Sequence, residues 1–262
     1  MKKQNPLWVV KVGSGLLTNK LGGVDRREIK NLASQIASLR RKGCRVIMVS
    51  SGAISAGMSV LQLGKRPTER HALQACASIG QPKLMEAYSQ AFARHGMCVA
   101  QILVTSWDFD SRKLYANTQA TLRHLLGLGN CVPIFNENDA LSFEEIEMLN
   151  RFGDNDRLSA HVSVLSSAKR LVILSSIDGL RENPDGTGRL IRRVREIDDR
   201  IRSCAGQTQS ERSVGGMISK LETARRMLEQ RIPMVIADGR EKDVLLKIHA
   251  NQSVGTWFLA GK

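Results

Sequence analysis

Residues 7–15, LWVVKVGSG, decide how the chain is read. Five apolar residues and one lysine, Lys11, run straight into a glycine turn, the pattern of a buried strand emptying into a loop. The following segment, VDRREIKNLASQIASLRRKG (24–43), spaces Ile29, Leu32, Ala33 and Ile36 along one helical face. Asp25 and Glu28 suit a capping box at its start and Gly43 a stop. CRVIMV (44–49) then reads as a second strand. Strand, helix, strand in this order predicts a parallel pair joined by a crossover.

The alternation continues to the end. CVAQILV (98–104), CVPIF (131–135), RLVIL (170–174) and PMVIA (233–237) read as further strands. Helical patterns fill 72–95, interrupted at Gly80-Gln81-Pro82, and 116–127, 156–167, 195–204 and 216–230. GTWFLAG (255–261) can add an edge strand. The expected fold class is α/β: a three-layer α/β/α sandwich around a mostly parallel central sheet, built as a single domain over 1–262.

Composition narrows the function classes. The chain has 262 residues, 42% hydrophobic, with a formal charge of +14 and a pI near 10.0. Such a field draws in anionic ligands or a polyanion. Aromatics are only 4% and do not interleave with Arg and Lys as base-stacking platforms would, which argues against a dedicated nucleic-acid partner. The five cysteines contain no CxxC pair, and Cys44, Cys98 and Cys131 open apolar runs as small buried hydrophobes do. Together with the absence of a secretory start and of any bilayer-length apolar run, this predicts a reducing cytoplasm and no membrane partner.

In parallel α/β sheets, ligands bind beyond the carboxyl ends of the strands. The polar and glycine-rich segments fall there: KVGSG (11–15), SSGAISAG (50–57), NENDA (136–140), SSIDG (175–179) and ADG (237–239). GDND (153–156) and SVGGMISK (213–220) open helices. Each has a bland reading as turn or cap. Two acid-and-amide clusters and two lysines beside glycine loops favour a site for an ammonium group, a metal–nucleotide, or both. Walker A, G-x-G-x-x-G, G-x-S-x-G and HExxH patterns do not occur, and the five histidines are isolated.

KVGSGLLT, VSSGAISAG, IGQ (79–81), NENDA, FGDNDRLSA, GGMISK and the terminal GTWF share their order and spacing with the amino-acid kinase family. The likeness extends over nearly the whole chain and is strongest to the branch that phosphorylates the side-chain carboxylate of L-glutamate, the first step of proline biosynthesis. Many members carry a further C-terminal RNA-modification-type (PUA) domain; this sequence stops just after GTWF and so resembles the short form. The resemblance implies the amino-acid kinase fold, with an amino-acid-binding lobe to about residue 165 and a nucleotide-binding lobe from about 166.

It also implies roles. Lys11 and Lys220 would straddle the transferred phosphoryl group, with Asp156 orienting them and Asp154 nearby. Ser51, Gly52, Asp139 and Asn155 would hold the amino acid, and Asn136 would support that pocket. Lys11, Gly13, Ser14, Ser175, Ser176, Val214, Gly215, Gly216, Met217 and Lys220 would face ATP, which brings Mg²⁺ as its counter-ion; no protein metal ligand is assigned. Proline as feedback inhibitor and a homo-oligomeric state are family traits. The nucleotide side departs from the family pattern: Ser175-Ser176 replaces Thr-Asp, Arg181 an aromatic, Ser213-Val214 a Gly-Thr, and Gly15 a small polar residue. A sister kinase for another small carboxylate or phosphate, and a non-catalytic nucleotide- or nucleic-acid-binding homologue, are the competing readings.

Overall fold

The computed structural model describes residues 5–19, 21–141, 154–206 and 216–261. Its centre is one eight-stranded sheet in the order β3-β4-β2-β1-β5-β7-β8-β6. The strands are β1 (Leu7–Val12), β2 (Arg45–Val49), β3 (Cys98–Val104), β4 (Cys131–Glu137), β5 (Arg170–Ser175), β6 (Arg193–Val194), β7 (Met234–Asp238) and β8 (Thr256–Phe258). From β3 to β7 every pairing is parallel, and β8 alone runs antiparallel to its neighbour β7. The expected mostly parallel sheet is therefore present. The GTWF strand does not form the edge, because β6 pairs with its outer side.

Apolar side chains on both faces of the central strands explain their nearly continuous hydrophobic sequence. Val10, Val12 and Met48 face one cluster, covered by α2 (Arg26–Arg41), α4 (Arg70–Ala93) and α10 (Val244–His249). Leu7, Val9 and Ile47 face the other, covered by α6 (Arg112–Gly127), α7 (Asp154–Leu165) and α9 (Met217–Glu229). Asp25 caps α2, its carboxylate accepting from the backbone N–H groups of Arg27 and Glu28. The short helices α1 (Ser14–Leu17), α3 (Ala53–Val60), α5 (Ser106–Asp110) and α8 (Asp199–Ser203) complete the described elements. No helix among the described residues is long and apolar enough to cross a membrane.

Two helix expectations are corrected. α4 runs unbroken through Gly80, Gln81 and Pro82. Gly and Pro inside a helix carry penalties of about 1 and 3 kcal/mol, but packing decides here. α3 crosses α4 so closely that a Cβ on Gly80 would lie 1.9 Å from the Ala53 carbonyl oxygen, and one on Gly57 1.8 Å from that of Cys76. The glycine that looked like a break is the point of contact. The helix predicted at 195–204 is also shorter: α8 begins only at Asp199, where Asp198 caps it by accepting from the Ile201 N–H, and it ends at Ser203.

At the start of β5, Arg170 lies between two indoles, its Cζ 4.7 Å from the Trp8 ring centroid and 4.8 Å from that of Trp257. Its guanidinium also donates to the Ile248 carbonyl oxygen at 3.1 Å. This stack joins β1, β5 and β8 at the end of the sheet opposite the polar loops.

Candidate active site

The pleat of β1 sets the site. Residues 7, 9 and 11 share a face, so Lys11 extends the row begun by Leu7 and Val9 toward α7 and α9. The strand ends one residue later, placing this lysine where the apolar cover stops. Asp156, in the first turn of α7, is fully buried beneath it. Lys11 Nζ stands 2.6 Å from Asp156 Oδ1. Lys220, in the first turn of α9, places its Nζ 3.1 Å from Asp156 Oδ2. Three groups expected to act together thus share one crevice, with both lysines almost wholly enclosed.

Burial favours a neutral Asp156, yet Lys11 and Lys220 outweigh it and hold the carboxyl below its ordinary range. Burial lowers the Lys220 ammonium, with Lys11 reinforcing the shift and Asp156 opposing it. Among the described residues, two ammonium groups share this one carboxylate in a medium where charge is poorly screened. Lys220 also lies near a helix N-terminus, where a cation is locally unfavourable. An arriving anion relieves that strain.

The loops after β2 and β4 form the neighbouring wall. Ser51 is buried, and Gly52 takes a left-handed φ of 94° to start α3, a conformation that lets the chain turn without a Cβ penalty. Ser50 Oγ and the Tyr88 hydroxyl are 3.0 Å apart beneath it. Asn136, buried at the end of β4, donates through Nδ2 to Gln81 Oε1 at 2.8 Å, and Gln81 Nε2 donates to Gln101 Oε1 at 3.0 Å. This chain of amides fixes the Asn136 side chain. Asn136 Oδ1 and Asn155 Oδ1 are buried acceptors with no hydrogen-bond donor among the described residues. A cavity of about 190 Å³ lies alongside, lined by Ala53, Gln81, Gln101, Glu137 and Asp139. Ser51 and Asn155 are not part of its lining.

On the other side of Lys11, three loops are tied together. The Gly13 N–H donates to the Leu174 carbonyl at 3.0 Å, and that of Gly239 to Ser175 at 2.9 Å. Arg240 Nη2 donates to the Gly15 carbonyl at 2.9 Å. Ser14 begins α1, and Ser176 is exposed with its Oγ facing Gly15, where a Cβ would lie 3.9 Å away. Two of the departures from the family pattern, Gly15 and Ser176, therefore face each other. Gly216 caps α9 through its backbone alone, and Met217 follows half-buried. Val214 and Gly215 lie outside the described residues, as does Gly153. Of Asp154 only its place at the start of α7 is described.

Sequence reasoning quoted Gln81 within IGQ but gave it no role, and passed over Gln101 and Arg240. Gln81 carried a signal, being a polar residue in the buried stretch of a helix. Gln101 and Arg240 enter only through contacts between distant segments.

The model of the Amino acid kinase family matches residues 6–238. The chain is 42% identical over 256 residues to the glutamate 5-kinase of Pelobacter propionicus, covering 96% of this chain and 67% of that protein. It is 45% identical over 257 residues to the glutamate 5-kinase of Azoarcus sp., with the same two coverages. The glutamate 5-kinase of Thermus thermophilus is 42% identical over 254 residues, again covering 96% and 67%. The chain thus spans about two thirds of the length of these relatives. With its parallel sheet, its polar loops at the strand ends and a family match over most of its residues, the chain belongs to the amino acid kinase family.

Proposed function

We propose that the protein transfers the γ-phosphoryl group of ATP to the side-chain carboxylate of L-glutamate, giving L-glutamyl 5-phosphate, the first step of proline biosynthesis. The similarity to glutamate 5-kinases over 96% of the chain supports the substrates. The observation that carries the chemistry is the shared Asp156 carboxylate, which aims two buried lysines at one place.

A glutamate side chain has a pKa of about 4.3 and is ionised at neutral pH, so no general base has to create the nucleophile. One carboxylate oxygen attacks the γ-phosphorus as the bond to the ADP oxygen breaks. The obstacle is repulsion between anions, and the remedy is positioning with charge stabilisation. In this reading Lys11 and Lys220 flank the migrating group while Asp156 holds both ammonium heads in place. ATP brings Mg²⁺, which keeps most of its water and screens phosphate oxygens. The Ser14 start of α1 and the Gly216-Met217 start of α9 would supply N–H donors to the phosphates, since the Gly13 N–H is already given to the Leu174 carbonyl; Val214 and Gly215, assigned the same role, lie outside the described residues. Ser175 and Ser176 border the nucleotide.

Glutamate itself is held by Ser51 and Gly52 at the start of α3, and by Asp139, Asn136 and Asn155. The unsatisfied oxygens of the two asparagines suit its ammonium group, because an ammonium offers only donors. The accompanying division places the amino-acid lobe up to about residue 165 and the nucleotide lobe beyond it. Proline as feedback inhibitor and a homo-oligomeric state go with the same reading, and proline titration of turnover and sedimentation check them.

The deciding experiment is glutamate-dependent ATP consumption with hydroxylamine trapping of the acyl phosphate. Glutamyl hydroxamate is the expected product. Hydroxamate from another acid but not from glutamate would replace the substrate, and no turnover with any acid would remove the enzymatic reading altogether.

A further inference from the structure

The amino-terminal end of the sheet, opposite the candidate active site, holds a pair of cysteines. Cys98 opens β3 and Cys131 opens β4, and the two are register partners. Ile102 and Val104 on β3 and Phe135 on β4 pack into one apolar cluster. Because side chains alternate along a strand, Cys98 and Cys131 point to that same face. Neighbouring strands lie about 4.8 Å apart, inside the Cα separation of about 4.4–6.8 Å that a disulfide spans.

The two thiols differ in access. Cys98 is exposed, contrary to the sequence expectation of a small buried hydrophobe, because β3 is an edge strand whose first residues are poorly covered. Cys131 is buried. Burial, together with the adjacent Cys98 thiol, pushes the Cys131 thiol up to about 11, while Arg40 pulls the other way. Cys98 is therefore the sulfur that meets reagents from solution, and Cys131 the one behind it. Among the remaining cysteines, Cys44, Cys76 and Cys204 are all buried.

We propose that Cys98 and Cys131 form a reversible dithiol–disulfide couple, a modification site for low-molecular-weight disulfides at the edge of the sheet. The Cys98 thiolate attacks one sulfur of the reagent disulfide and releases one reagent thiol, leaving a mixed disulfide on Cys98. The Cys131 sulfur then attacks Cys98 Sγ, gives up its proton and expels the second reagent thiol. Two protein thiols are oxidised and one external disulfide is reduced to two thiols. Register-paired Cβ atoms stand farther apart than the ~3.8 Å a relaxed disulfide prefers, so closure draws β3 toward β4. β3 has a single neighbour in the sheet and can move. A bridge under such tension is easily reduced, which makes the couple reversible.

The test is incubation of the native full chain with oxidised glutathione, followed by thiol titration and peptide mass spectrometry. The expected result is a loss of two titratable thiols, a Cys98–Cys131 linked peptide lighter by two hydrogens, and full reversal by dithiothreitol. Cys98→Ser, an exposed substitution, should abolish the link and leave Cys131 unmodified. A glutathione adduct that persists on Cys98, a Cys98–Cys98 link between two copies, or no reaction of the native chain would each overturn the proposal. None of these readouts depends on kinase activity.

Discussion

Lys11 and Lys220 divide one carboxylate between them: each ammonium takes a different oxygen of Asp156, at 2.6 and 3.1 Å, inside a crevice closed to solvent. Replacing Asp156 by Asn would remove the buried anion that both ammonium groups contact. Removing one partner of a buried ion pair typically destabilises by about 3–5 kcal/mol, and Asp156→Asn is expected to fall in that range in urea unfolding. MgATP should restore part of the loss, because its phosphates replace the missing anion.

Lys220→Ala tests whether the lysine acts on the transition state. Loss of one charge-stabilising donor commonly lowers turnover about 10²–10³-fold. That fall in kcat is expected with KM for glutamate nearly unchanged; a rise in KM alone would show a lysine that merely binds substrate.

Ser176 faces Gly15 and, in the proposed reading, borders the nucleotide with only a neutral hydroxyl. A hydrogen bond to a charged group is worth about 1.5–3 kcal/mol against roughly 0.5–1.5 for a neutral one. Ser176→Asp should therefore tighten ATP binding about tenfold. A calorimetric titration that finds the same Kd in both proteins would remove Ser176 from the nucleotide site.

Gly80→Ala is expected to destabilise more than an ordinary helix substitution. Its methyl would meet the Ala53 carbonyl oxygen at 1.9 Å, and backbone atoms cannot rotate away. Overpacking generally carries about 1–3 kcal/mol, and a shift of α3 would also move Ser51 and Gly52. Thermal melts and KM for glutamate should change together.

His161 supplies a pH dependence. Burial, with Arg226 and Arg157 adding to it and Asp110 opposing, lowers its pKa to about 4 from an ordinary 6.5. Its Nε2 lies 2.6 Å from Arg226 Nη1, and its ring packs on Phe109. Between those two pH values the unfolded chain binds the proton and the folded chain does not. This contribution to stability is complete above about pH 6.5, declines as pH falls toward 4, and levels off below. His161→Gln keeps an acceptor for Arg226 without titrating. The drop in melting temperature between about pH 7 and about pH 5 should be smaller in that variant.

Apart from β6, whose two residues Arg193 and Val194 form no apolar run, the strands were legible because each is an apolar run bounded by polar or glycine-rich loops, and β1 and β3 match their predicted limits. α3 was hidden within SSGAISAG, where serine and glycine read as loop; only its close crossing with α4 explains why glycine suits a helix there. The same crossing overrode the apparent break at Gly80 and Pro82. Lys11, Asp156 and Lys220 were legible as candidates because charges beside glycine loops are hard to explain by packing. Their common crevice follows from strand register and helix placement. The amide chain from Asn136 through Gln81 to Gln101 links three segments, and no local pattern announces it.

Because β1 lies between β2 and β5, a polypeptide leaving the ribosome can complete only the β3-β4-β2-β1 half before β5 has been made. Until then the flank of β1 from Trp8 to Val12 is open to any other extended segment nearby, a hazard for newly made chains. Arg170 begins the strand that seals it, yet the guanidinium slot is finished only when Trp257 arrives. The oldest strand is thus secured only by segments made long after it.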